Sequence, residues 1–115
     1  MARLEVLTYP DERLARTALP VERVDDDVRA FIADLFETMH AEGGVGLAAT
    51  QVGDLRRVVV LDCGDDEGEP KPLALVNPRI VEREGEIVWN EGCLSVPGVS
   101  ADVDRAERIV VEFLD

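Results

Sequence analysis

The chain has 115 residues, 46% apolar and 32% charged, and its 25 acidic side chains against 12 basic ones give a net charge of −13. That composition excludes a disordered or fibrous chain, the length excludes two domains, and the shortage of Lys and Arg, with Lys71 the single lysine, disfavours nonspecific binding to nucleic-acid phosphates. No apolar run approaches the roughly 20 residues of a membrane helix, and the start MARLEVLTYPDERL lacks the apolar centre of a signal peptide, so one cytoplasmic domain spanning 1–115 is expected.

The opening LEVLTYP reads as a short extended segment ending at Pro10, with Asp11 placed to cap a brief turn. From Asp25 to Glu42 the apolar residues Val28, Phe31, Ile32, Leu35, Phe36 and Met39 recur at spacings of three and four, which predicts an amphipathic helix. Asp25, Asp26 and Asp27 complement its N-terminus, and Gly43 with Gly44 ends it. His40, near the C-terminal end, suits an exposed or partly packed imidazole, because no second His lies at helical spacing from it. Arg57 to Asp62 is a β-branched run and predicts a buried strand. Leu73 to Val76 and Ile80 to Val81 predict another, interrupted by Asn77 and Pro78, with the acidic loop containing Asp65, Asp66, Glu67 and Glu69 as the hairpin connection. Glu86 to Trp89 and Arg108 to Leu114 complete the strands. One long helix against mostly antiparallel strands gives an α+β domain.

Two segments carry possible chemistry. GVGLAA, from Gly44 to Ala49, fits a GxGxxA phosphate-binding pattern, but that pattern needs a strand before it and a helix after it, and here the order is reversed. Gly44 and Gly46 instead allow a ligand to approach the backbone closely, Ala48 and Ala49 allow neighbouring elements to come near, and Gln51 supplies an amide that both donates and accepts. Two cysteines in a chain without a signal peptide do not imply a disulfide framework. Cys63 reads as a half-buried structural thiol. Cys93, in EGCLSVP, is flanked by Gly92 and followed by Leu94, whose backbone N–H is a candidate oxyanion donor.

Together GVGLAATQ and EGCLSVP resemble the first two signature motifs of the peptide deformylase family. The surrounding segments LEVLTYPDERLARTALPVE, DLFETMHAEGGVGLAATQVG, RRVVVLD, ALVNPRIV and RAERIVVEFLD follow the same order, so the resemblance covers essentially the whole chain. It implies a metal-dependent hydrolase that removes the formyl group from the N-terminal methionine of new proteins, using Fe²⁺ or a substitute such as Zn²⁺. Carried over, Cys93 would be the thiolate ligand, the Gln51 side chain and the Leu94 N–H would hold the oxyanion, and Gly44, Val45 and Gly46 would line the groove for an extended N-formylmethionyl peptide. Glu91 and Ser95 belong to the matched motif; structural support of the Cys93 turn is the plain reading, and their roles stay open.

The family also carries an HExxH motif on a later helix, with two metal-binding His and a general-base Glu, and this sequence has none. The expectation is therefore a domain whose C-terminal metal-binding helix is missing, inactive alone, unable to hold the metal stably, and inclined to associate through exposed apolar surface. Two alternatives accompany it: a noncatalytic protein that keeps the groove and binds peptides or a partner chain, and a separate chain that supplies the helix.

Overall fold

Helix α1 (Asp26–Ala41) starts where the Asp25 carboxylate accepts the Val28 N–H at 3.0 Å, with Asp26 and Asp27 in its first turn. It stops one residue after Ala41 in a Schellman arrangement. Gly43 takes a φ of +71°, its N–H donates to the His40 carbonyl, and the Gly44 N–H donates to the Met39 carbonyl. The sequence expectation of Asp25 to Glu42 differs only by these two caps. In this computed structural model, which describes residues 4–64, 67–93, 95–105 and 108–114, the chain passes from the helix end directly into strand β1 (Gly46–Ala48).

A 3-10 turn, Ala49–Val52, follows, and then β2 (Val58–Leu61), β3 (Leu73–Glu84), β4 (Ile87–Cys93), β5 (Val96–Arg105) and β6 (Arg108–Leu114). The strands form a four-stranded antiparallel sheet in the order β1-β2-β3-β6 and a separate hairpin, β4-β5. The architecture is α+β, as expected. Two strands were not anticipated, β1 and β5, because GLA and VPGVSADVDR lack the alternation that marks a half-buried strand. β3 runs through the expected interruption: Pro78 has no N–H to give the ladder, and the register shifts between Val76 and Arg79 to absorb it.

The core lies between α1 and the β1-β2-β3 end of the sheet. Leu35, Met39 and Val60 are wholly excluded from solvent, with Val28, Phe31, Leu47, Ala49, Val58 and Val76 around them. Each such aliphatic side chain contributes about 1.5–3 kcal/mol by burial. The far end of the sheet is different: Ile80 and Val81 on β3, and Ile109, Val110, Phe113 and Leu114 on β6, are exposed.

Residues 4–21 form a strap over this framework, held by hydrogen bonds from its backbone and by the buried side chains of Leu7 and Val21. The Leu4 N–H donates to the buried Thr38 hydroxyl at 2.7 Å, and residues around Leu19 pair in parallel with Arg56. At the end of the strap, one Asn77 side chain grips Val21 twice, accepting its N–H and donating to its carbonyl, both at 2.7 Å.

Two carboxylates along these loops titrate unusually. Asp11 caps the 3-10 turn Glu12–Ala15, and hydrogen bonds from the Arg13 side chain and backbone hold its carboxyl down at about 2. Burial pushes Asp54 up, but hydrogen bonds from the Arg56 side chain and backbone outweigh it and leave the carboxyl below its ordinary value. Arg56 also reaches Asp27 at 2.9 Å and lies 4.0 Å above the Phe31 ring, tying this loop to the start of α1. Both folded carboxyls sit below their unfolded values, so their contribution is complete above about pH 4 and is lost as pH falls through the folded values. The melting temperatures of the chain and of Asp11→Asn should differ at neutral pH and converge between about pH 4 and pH 2. A gap unchanged across that interval would contradict the assignment.

Candidate active site

The two motif segments meet although forty-two residues separate Gln51 from Cys93. Gln51 stands on the 3-10 turn after β1, and Cys93 ends β4. The Gln51 Nε2 lies 3.6 Å from the exposed Cys93 Sγ and 3.2 Å from Ser95 Oγ. Its Oε1 accepts the Ala48 N–H at 3.0 Å. The strap binds both segments from behind: the Leu7 N–H donates to the Gln51 carbonyl and the Tyr9 N–H to the Ser95 carbonyl, each at 2.7 Å. Leu94, the other candidate oxyanion donor, lies outside the described residues.

Strand β1 is one edge of the sheet among the described residues, and antiparallel geometry decides which of its groups are available. The Asp62 N–H donates to the Val45 carbonyl, and Leu47 stands opposite Val60, so Val45 and Leu47 turn their backbone groups toward β2. Gly46 and Ala48 then turn theirs outward, and the Ala48 N–H is the one that Gln51 captures. Of the three expected groove residues, Gly44 spends its N–H on the end of α1, Val45 exposes its side chain but spends its carbonyl on β2, and Gly46 presents the open backbone. The fold itself does not require glycine at 46. Its φ is not left-handed, and an added Cβ would meet nothing nearer than the Val60 carbonyl oxygen at 3.7 Å.

Glu91, two residues before Cys93, accepts from Arg105 Nε at 3.0 Å and from a second guanidinium nitrogen at 2.8 Å, a forked pair across the β4-β5 hairpin that holds the Glu91 carboxyl below its ordinary value. The hydroxyl-bearing Ser95 is 4% exposed. Glu91 thus links β4 to β5 near Cys93, and Ser95 is buried beside it. Cys63 departs from expectation: it is exposed, because Asp62 turns back to accept the Gly64 and Lys71 N–H groups and the thiol is left on the outside of that loop. His40 stacks on Phe36 with ring centroids 6.3 Å apart and faces Asp62 at 4.0 Å.

As a metal centre the described residues do not suffice. Cys93 offers one soft donor, whereas a catalytic Fe²⁺ or Zn²⁺ needs about three protein ligands, and no group of three or more His, Cys, Asp or Glu among the described residues is placed to hold an ion. What these residues do offer is a directed N–H beside a thiol. Nothing in the sequence pointed to the Leu7 and Tyr9 contacts, since backbone donors carry no side-chain signature.

Fold and site together define an α+β protein in which a free sheet edge, a fixed carboxamide and an accessible thiol converge. Residues 3–115 match the family model described as polypeptide deformylase. A peptide deformylase of Neisseria meningitidis is 55% identical over all 115 residues, which span 68% of that protein, and one of Alkalilimnicola ehrlichii is 54% identical, with 64% of it spanned. Among solved structures, a peptide deformylase from Ehrlichia chaffeensis in complex with actinonin superimposes with a TM-score of 0.94 at 42% identity, covering 100% of this chain and 70% of that one. One from Legionella pneumophila gives 0.91 at 45%, covering 99% and 66%. The chain belongs to the peptide deformylase family.

Proposed function

We propose that this chain provides the peptide-binding edge, the oxyanion donor and one metal ligand of a peptide deformylase, a hydrolase that removes the formyl group from N-formylmethionyl peptides in the cytoplasm. The observation that carries the reading is the convergence of the Gln51 Nε2 and the Cys93 Sγ, 3.6 Å apart, beside the outward-facing backbone of Gly46. An extended substrate pairs with the Gly46 N–H and carbonyl as an added strand, which fixes its orientation through main-chain bonds. The absence of a Cβ at 46 lets that strand lie close. The formyl oxygen then falls near the Gln51 amide, whose N–H stabilises the charge that develops on it, with the Leu94 N–H as the second donor. Cys93 would be one ligand of a divalent metal such as Fe²⁺ or Zn²⁺, which, held by a complete ligand set, would supply Lewis acidity and a more acidic water.

With Cys93 as the one ligand proposed at this site and no group of three or more possible ligands among the described residues, the expected behaviour of the chain by itself is no turnover and metal below one equivalent. Its exposed apolar face on β3 and β6 favours self-association. Among the described residues no helix is long and apolar enough to cross a membrane. The test is formate release from a formyl-methionyl tripeptide by the purified chain, together with its metal content. No turnover and substoichiometric metal are expected; steady release with metal near one per chain would overturn the inactivity. The open Gly46 edge also favours a second reading, a noncatalytic peptide binder. Equal affinity for formyl-methionyl peptide before and after chelation would support that reading, and no calorimetric binding would exclude it.

A further inference from the structure

We propose that Ser95 is a positioning residue for Gln51: its buried hydroxyl takes one Nε2 proton of the carboxamide and so fixes the other in the space beside Cys93. The inference rests on the reading of Gln51 as an oxyanion donor and assigns a specific task to a motif residue otherwise seen only as a brace.

The orientation of the carboxamide is decided first at its oxygen. The Ala48 N–H is a donor, so the atom 3.0 Å from it must be Oε1; the reversed amide would set two donors face to face. Nε2 therefore points toward the hairpin, where it finds Ser95 Oγ at 3.2 Å and Cys93 Sγ at 3.6 Å. The two N–H bonds of a planar amide diverge by about 120°, so one proton serves each acceptor. The terminal torsion of Gln is broad by itself and selects no single direction. Ser95 supplies the selection, and the residue is 4% exposed, which leaves water little access to replace it.

Ser95 is in turn held by the strap. Leu7 and Tyr9 are alternate residues of one extended segment, and their N–H groups bond the carbonyls of Gln51 and Ser95 respectively. One piece of chain thus ties together the backbones of the residue that is aimed and the residue that aims it. When the Cys93 sulfur is engaged elsewhere, the N–H directed at it becomes the one free to meet a substrate oxygen, already oriented.

The test is NMR of the ¹⁵N-labelled chain, with the Gln51 side-chain amide assigned by its loss in Gln51→Leu. In the unaltered chain the two Nε2 protons should be well separated in shift, with exchange slowed about tenfold relative to a free carboxamide. Ser95→Ala should remove most of that protection while the Ala48 backbone amide stays protected, and Ser95→Thr, which keeps a hydroxyl, should restore it. Free-amide exchange of Gln51 in the unaltered chain overturns the proposal, whatever the variants do. So does unchanged protection in Ser95→Ala, or failure of a folded Ser95→Thr to rescue. None of these readouts involves turnover, so the proposal can fail while the deformylase reading stands, and the reverse holds for the formate measurement.

Discussion

Replacing Asn77 by Ala should be among the most destabilising single changes in this chain, costing about 3 kcal/mol and lowering the melting temperature by roughly 12–24 °C. Three effects add. The Val21 N–H and carbonyl both lose their partner in a partly buried place, and an unsatisfied polar group there costs about 1–3 kcal/mol. Asn77 also holds a φ of +53°, a region that Asn tolerates and Ala resists by about 1–2 kcal/mol. Finally, Val21 belongs to the core, so loosening it exposes the end of the strap that packs over α1 and β2. Asn77→Gly separates these contributions, because glycine accepts the backbone angle but makes neither bond; it should recover part of the loss. Thermal melts of the two variants decide the matter. Equal stability of Ala and Gly at this position would remove the backbone contribution, and an Ala variant within about 0.5 kcal/mol of the unaltered chain would mean the clamp is idle.

The second large effect is at Gln51. In any form of the protein that releases formate, Gln51→Leu should lower kcat by about 10²–10³ under the proposed function, the loss typical of one oxyanion donor. Gln51→Glu is the sharper variant. Its carboxylate still accepts the Ala48 N–H, so the local fold is kept, but it has no N–H to offer and sets negative charge where negative charge develops. Glu should therefore equal or exceed Leu in lost turnover while melting closer to the unaltered protein. Formate release within about threefold of the unaltered enzyme for either variant would reject Gln51 as the donor.

These two residues also show what a reader of the sequence can and cannot see. Helix α1 was legible to within its caps because its signals are local: apolar spacing, three aspartates at one end and two glycines at the other. β2 and β6 were legible for the same reason. Asn77 was visible only as an interruption, since its grip on Val21 spans fifty-six positions and depends on a bulge that no local pattern announces. Gln51 and Cys93 stood out through the resemblance of their motifs, yet the chemistry between them comes from the third dimension. The strap was legible as an extended segment and a capped turn, but its hydrogen-bond partners were not, because those bonds are made by backbone N–H groups, which every residue but proline possesses.

The capture of the Ala48 N–H by Gln51 has a consequence for how long a guest the sheet can admit. An open edge ordinarily invites any extended chain to zip along it, which is the route to runaway aggregation. β1 is three residues long, and its last outward N–H is already occupied from within. A visiting strand can register at Gly46 and go no further, because the next rung is filled and the clamped carboxamide stands in its path. At β1 the sheet thus offers one short rung instead of a long template, which under the proposed function would suit an extended terminus better than the middle of a polypeptide.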